Sequence, residues 1–289
     1  MQMNSWQIGK GKSLPIGSRT LVMGILNVTP DSFSDGSQFS SLNQALAHAE
    51  AMIAEGADII DVGGESTRPG AVPVTAEEEI ARVIPVIEAL ATRTDTPISI
   101  DTTKALVARA ALAAGASIVN DVSALRFDFH IADEVAQAGA GLVLMHSRGT
   151  PVTMHKLPPV ADIMKEVISS LGSSVTMAER RGIKREAIAI DPGIGFGKSQ
   201  EQNLELIAKL DQLAAAFPDL PVLIGTSRKS FIGRLLANEN GEPAPVEERL
   251  YGTLATNVAA VLHGANIVRT HEVKPVRDAM RIIDAIGNL

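Results

Sequence analysis

The sequence predicts a single-domain (β/α)8 barrel of the α/β class with an N-terminal extension, and three observations support this prediction. Eight short runs are nearly continuously apolar, as is typical of strands covered on both faces in a parallel sheet. A segment of helical period follows each run, and no linker or change of composition interrupts the alternation. The predicted strands lie near residues 21–26, 58–62, 97–101, 117–121, 141–146, 187–191, 221–225 and 266–270.

The segments between these runs have apolar residues three and four positions apart, the spacing of a helix with one buried face. The first such set is Leu42, Ala45, Leu46, Ala49, Met52 and Ile53, and the last is Val273, Val276, Met280 and Ile283. A Gly-Ala pair precedes several strands, as at 56–57, and glycine favours the positive φ just past a helix end. A doubly wound open sheet is the structural alternative, but it rarely needs eight evenly spaced strand–helix units.

The first 20 residues do not fit this repeat. We expect residues 1–20 to form a hairpin or plug under the barrel and residues 21–289 to form the barrel itself. Length alone favours two domains only weakly, since α/β barrels reach this size as one domain. A composition that is 45% hydrophobic is ample for a large core.

Composition excludes several classes of protein. A net charge of -7 argues against a nucleic-acid-binding protein, which needs a basic face. The chain has no cysteine, which excludes disulfides, thiolate nucleophiles and cysteine-bound metals. No apolar run approaches the roughly 20 residues of a membrane span, and the first residues lack the apolar core of a signal peptide. We therefore expect a soluble, cytoplasmic protein that binds neither nucleic acid nor a membrane.

Polar side chains follow the predicted strands where each strand ends. In a (β/α)8 barrel the carboxyl ends of the strands and the loops after them form the active site. Segments 28–40, 63–75 and 147–159 are rich in Gly, Pro and Ser and are longer than ordinary connections. The candidate side chains on the strand ends and just after them are Asn27, Asp61, Glu65, Thr67, Arg68, Asp101, Asn120, Asp121, Met145, His146, Asp191, Arg228, Lys229, Ser230, Arg269 and His271.

These side chains fall into two chemical groups. Asp101, Asn120 and Asp191 suit a flat, nitrogen-rich heterocycle, because a carboxylate accepts two parallel N–H bonds strongly. Arg68, Lys229, Arg269 and His271 are cationic and suit a phosphate or diphosphate, which such barrels often bind after strands seven and eight. Asn27 offers an amide oxygen to Mg²⁺, an ion that uses few protein ligands beside substrate phosphates.

Several of these features also have ordinary structural explanations. An aspartate at a strand end is more often the N-cap of the next helix, an interpretation that suits Asp61 and Asp121. The SRKS segment at 227–230 also suits a solvated, basic helix start. The Glu77–Glu79 run is typical of a solvated helix face. The glycines at 193, 195 and 197 lack the spacing of a dinucleotide-binding fingerprint.

Eight motifs together resemble the dihydropteroate synthase family of pterin-binding enzymes. They are GILNVTPDSFSDGS (24–37), DVGGESTRPGA (61–71), SIDT (99–102), IVNDVSA (118–124), LMHSRGTP (144–151), DPGIGFGK (191–198), GTSRKSFIG (225–233) and VRTHEV (268–273). The resemblance covers essentially the whole barrel, and its first two motifs are long and specific. It implies condensation of p-aminobenzoate with 6-hydroxymethyl-7,8-dihydropterin diphosphate, with 7,8-dihydropteroate and diphosphate as products.

The resemblance also implies a role for individual residues, with Mg²⁺ as cofactor at Asn27 and a homodimer as the assembly. In an SN1-like path diphosphate leaves first, and this path implies catalytic roles for Asp35, Arg68, Lys229, Arg269 and His271. The implied pterin site is Asp101, Asn120, Met145, Asp191, Lys229 and Arg269. The implied diphosphate site is Asn27, Thr67, Arg68, Arg269 and His271. The implied p-aminobenzoate site, where sulfonamides compete, is Phe33, Thr67, Pro69, Phe196, Lys229 and Ser230.

Two other functions suit the same barrel. A methyltetrahydrofolate:corrinoid methyltransferase also binds a pterin at the strand ends, but it has no anionic leaving group that would need Arg269 and His271. A catalytically silent pterin-binding paralogue should have lost the loop residues or Lys229, and this chain retains them.

Overall fold

The computed structural model describes residues 5–29, 38–66 and 70–287. Within them, eight parallel strands and the helices around them form a nearly closed barrel, which confirms the predicted fold class. A two-stranded hairpin of β1 (Ser5–Gln7) and β2 (Ser13–Pro15) precedes it. The barrel strands are β3 (Leu21–Asn27), β4 (Ile59–Gly63), β5 (Ile98–Asp101), β6 (Ile118–Asp121), β7 (Gly141–Met145), β8 (Ile188–Asp191), β9 (Leu223–Ile224) and β10 (Ile267–Thr270).

The described helices follow the strands in the predicted alternation, with a pair of helices after β8 and another after β9. Their apolar stripes face the barrel: Ala45 and Met52 of the first helix and Val276 and Met280 of the last are buried. The helices are α1 (Gln38–Ala54), α2 (Ala76–Ala91), α3 (Ala105–Ala114), α4 (Ile131–Ala138), α5 (Ile163–Arg180), α6 (Gln200–Ala208), α7 (Leu210–Ala216), α8 (Ser230–Leu235), α9 (Leu250–Leu262) and α10 (Val273–Gly287).

The order of hydrogen-bonded strands is β8-β7-β6-β5-β4-β3-β10-β9, so each neighbour along the chain is also a neighbour in space. The ring closes between β8 and β9 through an isolated parallel bridge from Ile190 to Val222. The amide of Ile190 also donates to the carbonyl of Pro221 at 2.9 Å. Parallel neighbours of this kind need a long crossover, which the intervening helices supply.

The N-terminal hairpin packs against the amino ends of the barrel strands. Trp6 is fully buried, and its Nε1 donates to the carbonyl of Ala187 at 2.9 Å, immediately before β8. Lys10 Nζ donates to the carbonyl of Gly115 at 2.9 Å, between α3 and β6. The hairpin therefore lies at the opposite end of the barrel from the polar strand ends.

The barrel interior has an apolar floor and a polar mouth. Side chains alternate between the two faces of a strand, so residues two positions apart both point inward. The floor is one buried apolar cluster with the hairpin residues Trp6 and Ile8, and its strand members are Leu21, Met23, Ile59, Ile118, Val143, Ala189, Leu223 and Ile267. Two positions further along five of these strands, the next inward-facing residues are Asp61, Asn120, Met145, Asp191 and Arg269. Strands that look buried thus end on polar residues because their ends line a cavity.

No helix among the residues described is long and apolar enough to cross a lipid bilayer.

Candidate active site

Arg269 connects two carboxylates across the mouth of the barrel. It lies on β10, and its Nε donates to Asp61 Oδ2 at 2.6 Å while its Nη2 donates to Asp101 Oδ2 at 2.7 Å. The guanidinium is a planar donor that is always charged, so it holds both carboxylates in fixed orientations. The arrangement brings together the inward ends of β4, β5 and β10.

Asp61 is a residue whose role sequence reasoning missed. It is fully buried, and the same Oδ2 that accepts from Arg269 also accepts from Asn120 Nδ2 at 3.0 Å. Interpretation of Asp61 as a helix N-cap is wrong, because its side chain points into the barrel rather than towards α2. Its Oδ1 is buried without a hydrogen-bond partner among the described residues, which leaves an acceptor for a donor on a ligand. The sequence does indicate this position, because Asp61 lies two residues after Ile59 on the same strand and therefore shares its inward face.

Asp101 and Asp191 face the cavity from β5 and β8 and have perturbed acidities. Burial raises the pKa of Asp101 to about 7, against the opposing positive charge of Arg269. Burial raises the pKa of Asp191 to about 6, while the amide of Gly193, at 2.6 Å from Asp191 Oδ1, favours the charged form. Two carboxyl groups with raised pKa values in one cavity are a common mark of a functional site.

Lys229 lies at the start of α8 and reaches into the mouth. Its Nζ donates to the carbonyl of Ile194 at 2.5 Å and lies 4.1 Å from the centre of the Phe196 ring. Burial lowers the pKa of Lys229 to about 8, and the charge of Asp191 opposes this shift. Ser230, the next residue, is exposed at the rim. Lys229 is thus a cation between an aromatic face and a carboxylate.

His271 is held at the end of β10 by the loop after β9. Its amide donates to Ser227 Oγ at 3.2 Å, and its Nδ1 lies 2.9 Å from the same oxygen. Ser227 Oγ also donates to Glu272 Oε2 at 3.2 Å, and Glu272 accepts from Arg228 Nε. Since Arg228 is exposed and paired in this way, the SRKS segment contributes Ser227 and Lys229, rather than Arg228, to the site.

Asn27 and Met145 complete the described part of the mouth. A Cβ added to Gly63 would lie 3.9 Å from Asn27 Oδ1 and 3.6 Å from Asp101 Cβ, so Asn27 is next to the Asp101 side of the cavity. Met145 is buried at the end of β7 and packs beside Gly193. Among the described residues no group of three His, Asp or Glu side chains could hold a metal ion. An amide oxygen such as that of Asn27 is one kind of ligand that Mg²⁺ accepts beside substrate oxygens and water.

Five predicted site residues lie outside the described residues: Phe33, Asp35, Thr67, Arg68 and Pro69. Their roles stay predictions. Glu65, which lies just before residues 67–69, is held in place by two hydrogen bonds. Glu65 Oε2 accepts from Lys104 Nζ at 2.7 Å, and Glu65 Oε1 accepts from the amide of Val74 at 3.0 Å.

Lys104 also binds Glu79, for which the sequence predicts a solvated helix face. That assignment is wrong, because Glu79 is fully buried and its Oε2 accepts from Lys104 Nζ at 2.5 Å. Burial raises the pKa of Glu79, and the hydrogen bond to Lys104 opposes this shift. The sequence did contain a signal, since Glu79 shares the spacing of the buried residues Val83, Val86, Ile87 and Leu90 of α2.

Asp121 is not the N-cap of the next helix, because α4 begins ten residues later with His130 at its cap. Its carboxylate instead holds the turn after β6, as Oδ1 accepts from the amide and hydroxyl of Ser123 and Oδ2 from the amide of Leu125. The glycines at 193, 195 and 197 all have positive φ, in a loop that follows β8. This loop packs against the loop after β7 and against Lys229, which explains why its spacing is unlike a dinucleotide-binding turn.

Comparison with known proteins places this mouth in a chemical context. A family model described as "Pterin binding enzyme" matches residues 23–271. A dihydropteroate synthase of Synechocystis sp. is 48% identical over 270 residues, which cover 93% of this chain and 91% of that protein.

Solved structures of dihydropteroate synthase superpose on the whole chain. The Xanthomonas albilineans protein with 4-aminobenzoic acid has a TM-score of 0.89 and 42% identity, covering 99% of each chain. The same organism's protein in complex with 7,8-dihydropteroate has a TM-score of 0.86 and 40% identity, again covering 99% of each chain. Similarity of this extent includes every strand that contributes to the mouth.

Proposed function

Because this chain belongs to the pterin-binding enzymes, and among them to the dihydropteroate synthase family, we propose how the residues of its mouth carry out that family's reaction. The function is that of a dihydropteroate synthase, a transferase that joins p-aminobenzoate to 6-hydroxymethyl-7,8-dihydropterin diphosphate. The products are 7,8-dihydropteroate and diphosphate. A corrinoid methyltransferase or a silent paralogue is not favoured, since relatives matched over nine-tenths of the chain are dihydropteroate synthases.

The pterin ring binds to the carboxylates and amide of the mouth. Asp101, Asn120 and Asp191 offer acceptors from β5, β6 and β8, the pattern that an amino-pyrimidine edge requires. Met145 covers one face of the ring, and the Arg269 guanidinium stacks on the other. The observation that carries this assignment is the hydrogen-bonded group of Asp61, Asp101, Asn120 and Arg269, in which Asp61 Oδ1 is buried and has no hydrogen-bond partner among the described residues.

The diphosphate binds to the cationic rim. Arg269 on β10 and His271 just after it face this group. Roles for Thr67 and Arg68 in the same site are implied by the family's motif, and both residues lie outside the described part of the chain. Asn27 would hold Mg²⁺ together with diphosphate oxygens and water. The bound ion would neutralise charge on the leaving group.

p-Aminobenzoate binds beside the pterin at the outer rim. Lys229 supplies a positive charge for the carboxylate or the polar edge of this substrate, and Phe196 supplies an apolar face 4.1 Å from the Lys229 ammonium. Ser230 borders the pocket from α8, and the family's motifs imply that Phe33, Thr67 and Pro69, which lie outside the described residues, contribute to it as well. Sulfonamides share the aniline and the acidic edge of this substrate and would compete for the same pocket.

The residues of the site promote the reaction by stabilising the charges that form when diphosphate leaves, not by activating a nucleophile. The bond between the pterin methylene carbon and the diphosphate oxygen breaks, and its electron pair leaves with diphosphate. The electron-rich dihydropterin ring delocalises the resulting cation, which the carboxylates of Asp101 and Asp191 and of Asp35 stabilise. The aniline nitrogen of p-aminobenzoate then forms the new C–N bond and releases a proton to solvent. Arg68, Arg269 and His271 hold the departing negative charge.

The assembly we propose is a homodimer formed through the late helices. α9 presents Tyr251 and Leu262 outward with exposed fractions of 81% and 64%, and neighbouring α10 presents Ile282 and Ile286 at 63% and 58%. Exposed large apolar side chains on two helices that pack against each other suit a protein–protein interface. A monomer in sedimentation at micromolar concentration would contradict this assembly, and Tyr251→Glu should dissociate the dimer without loss of helix content.

We also propose a cytoplasmic location, which the absence of cysteine supports, because a protein of a reducing compartment has no use for disulfides.

A coupled assay tests the proposed reaction. Purified protein with Mg²⁺, dihydropterin methyl diphosphate and p-aminobenzoate should release diphosphate and form dihydropteroate in equal amounts, and a sulfonamide should inhibit competitively with p-aminobenzoate. Arg68→Ala should reduce turnover strongly at unchanged thermal stability. Pterin binding without turnover in the wild-type protein would contradict the proposed reaction, and methyltetrahydrofolate would then be the ligand to test.

A further inference from the structure

Lys198 makes hydrogen bonds that hold two loops of the mouth together. Its Nζ donates to the carbonyls of Gly193 at 2.8 Å, Phe196 at 3.2 Å and His146 at 3.2 Å. A lysine ammonium has three donors, so these three carbonyls use its full capacity. Two of them belong to the loop after β8, and the third belongs to the end of β7.

The two loops approach so closely that side chains would not fit between them. Gly193 has a φ of +68°, and a Cβ there would lie 1.8 Å from the carbonyl oxygen of His146. Gly197 has a φ of +71°, and a Cβ there would lie 2.5 Å from the carbonyl oxygen of Arg148. Carbonyl oxygens brought together in this way repel one another unless a positive charge lies between them. The Lys198 ammonium, in its protonated form, supplies that charge. Burial lowers the pKa of Lys198 to about 7, and the charge of Asp191 opposes this shift.

The loop that Lys198 holds connects residues of both proposed substrate pockets. The amide of Gly193 donates to Asp191 Oδ1 at 2.6 Å and so orients a pterin ligand. Phe196, whose carbonyl Lys198 binds, places its ring 4.1 Å from the Lys229 ammonium in the p-aminobenzoate pocket. A displacement of this loop would therefore move Phe196 directly and Asp191 through a single hydrogen bond.

We propose that Lys198 is a positioning residue that sets the p-aminobenzoate pocket by fixing the loop after β8 against the end of β7. It donates to protein carbonyls rather than to substrate, so its effect passes through Phe196 and Gly193. This inference rests on the proposed function for its kinetic consequence, whereas its structural part concerns the two loops alone.

Lys198→Met tests the inference, because methionine retains most of the apolar stem and removes the ammonium. We expect the KM for p-aminobenzoate to rise tenfold or more while kcat stays within threefold of wild type, since the groups that hold the departing charge are untouched. In Lys198→Ala, added ethylammonium should restore part of the lost affinity. Lys209→Met is the matched control, since Lys209 is exposed on the far end of α6 and pairs only with Glu205 among the contacts described.

A second readout does not depend on activity. Amide hydrogen exchange at residues 193–197 should become at least tenfold faster in Lys198→Met and stay unchanged in Lys209→Met. Wild-type exchange at these amides together with a wild-type KM, even with a lowered melting temperature, would overturn the inference and leave Lys198 a purely structural residue. If the wild-type protein has no synthase activity, the proposed function fails, and the exchange experiment alone still decides whether Lys198 holds the loops.

Discussion

The guanidinium of Arg269 and the carboxylate of Asp61 are joined across the barrel by a 2.6 Å hydrogen bond between residues 208 positions apart. Because β10 and β4 both neighbour β3 in the sheet, closure of the barrel brings the first and last parts of the site into contact. Asp61 also binds Asn120, so one buried carboxylate orients two of the proposed pterin ligands.

Asp61→Asn should weaken pterin binding by about tenfold to a hundredfold, because charge-assisted hydrogen bonds of this kind are worth about 1.5–3 kcal/mol. Calorimetric titration with the dihydropterin diphosphate would measure the change. Asp95→Asn, at an exposed position, is the control and should leave affinity unchanged. Equal affinity in Asp61→Asn and wild type would show that Arg269 and Asn120 need no orientation by this carboxylate.

Asp101→Asn should also weaken pterin binding, through loss of an acceptor at the ring edge and of the 2.7 Å bond from Arg269. Its effect and that of Asp61→Asn should not be additive, since both carboxylates bind the same guanidinium. The double variant measured in the same titration tests this. Strict additivity would indicate that the two carboxylates act independently.

Lys229 should make p-aminobenzoate binding depend on pH. Its pKa is lowered to about 8, so the ammonium is present below that pH and is lost as the pH rises through it. The affinity for the anionic substrate should then fall above pH 8, by up to about tenfold per pH unit. Lys229→Arg retains its charge and should flatten the alkaline part of the KM profile. Identical profiles for wild type and Lys229→Arg would exclude Lys229 as the titrating group.

His146 should destabilise the fold in acid. Burial, reinforced by the charges of Lys198, Arg126 and Arg148, lowers its pKa to about 2. As the pH falls below about 6.5, the unfolded chain gains a proton at this residue and the folded chain does not, so the free energy of unfolding decreases. The contribution is at most about 1.4 kcal/mol per pH unit. Urea unfolding between pH 7 and 4 should show a shallower decline in His146→Gln, whereas His48→Gln at an exposed position should follow the wild type.

Lys104→Met should destabilise the protein by about 3 kcal/mol, because it leaves the buried Glu79 and the neighbouring Glu65 without their shared cation. The double variant Lys104→Met/Glu79→Gln should recover part of this loss, as it removes the uncompensated buried charge. Chemical denaturation of both variants measures the difference. A double variant less stable than the single one would mean that Glu79 contributes to stability independently of Lys104.

The fold was predictable because the barrel repeats one unit, and each unit carries its own apolar strand and amphipathic helix. All eight predicted strands overlap the observed ones, and most boundaries differ by a single residue. Which residues reach the mouth was predictable for the same reason, since the carboxyl ends of all the parallel strands lie at the same end of the barrel.

Two features of the site needed the three-dimensional structure. Asp61 and Glu79 each belong to a common sequence pattern, an aspartate at a strand end and an acidic helix start, whose ordinary explanation is a cap or a solvated face. What distinguishes them is burial beside Arg269 and Lys104, which are far away in the sequence. The hydrogen bonds of Lys198 were not predictable either. Their acceptors are backbone carbonyls, whose positions cannot be inferred from the spacing of residue types in the sequence.

The separation of an apolar floor from a polar mouth has a consequence for how such a protein changes over generations. The floor, with Trp6 and Ile8 of the hairpin, supplies cohesion, whereas residues at the rim such as Ser230 are exposed and contribute little to it. A substitution at the exposed rim therefore costs little stability, whereas a substitution in the buried floor destabilises the fold. Substitutions that change the specificity of the proposed p-aminobenzoate pocket can therefore accumulate at the rim with little loss of stability.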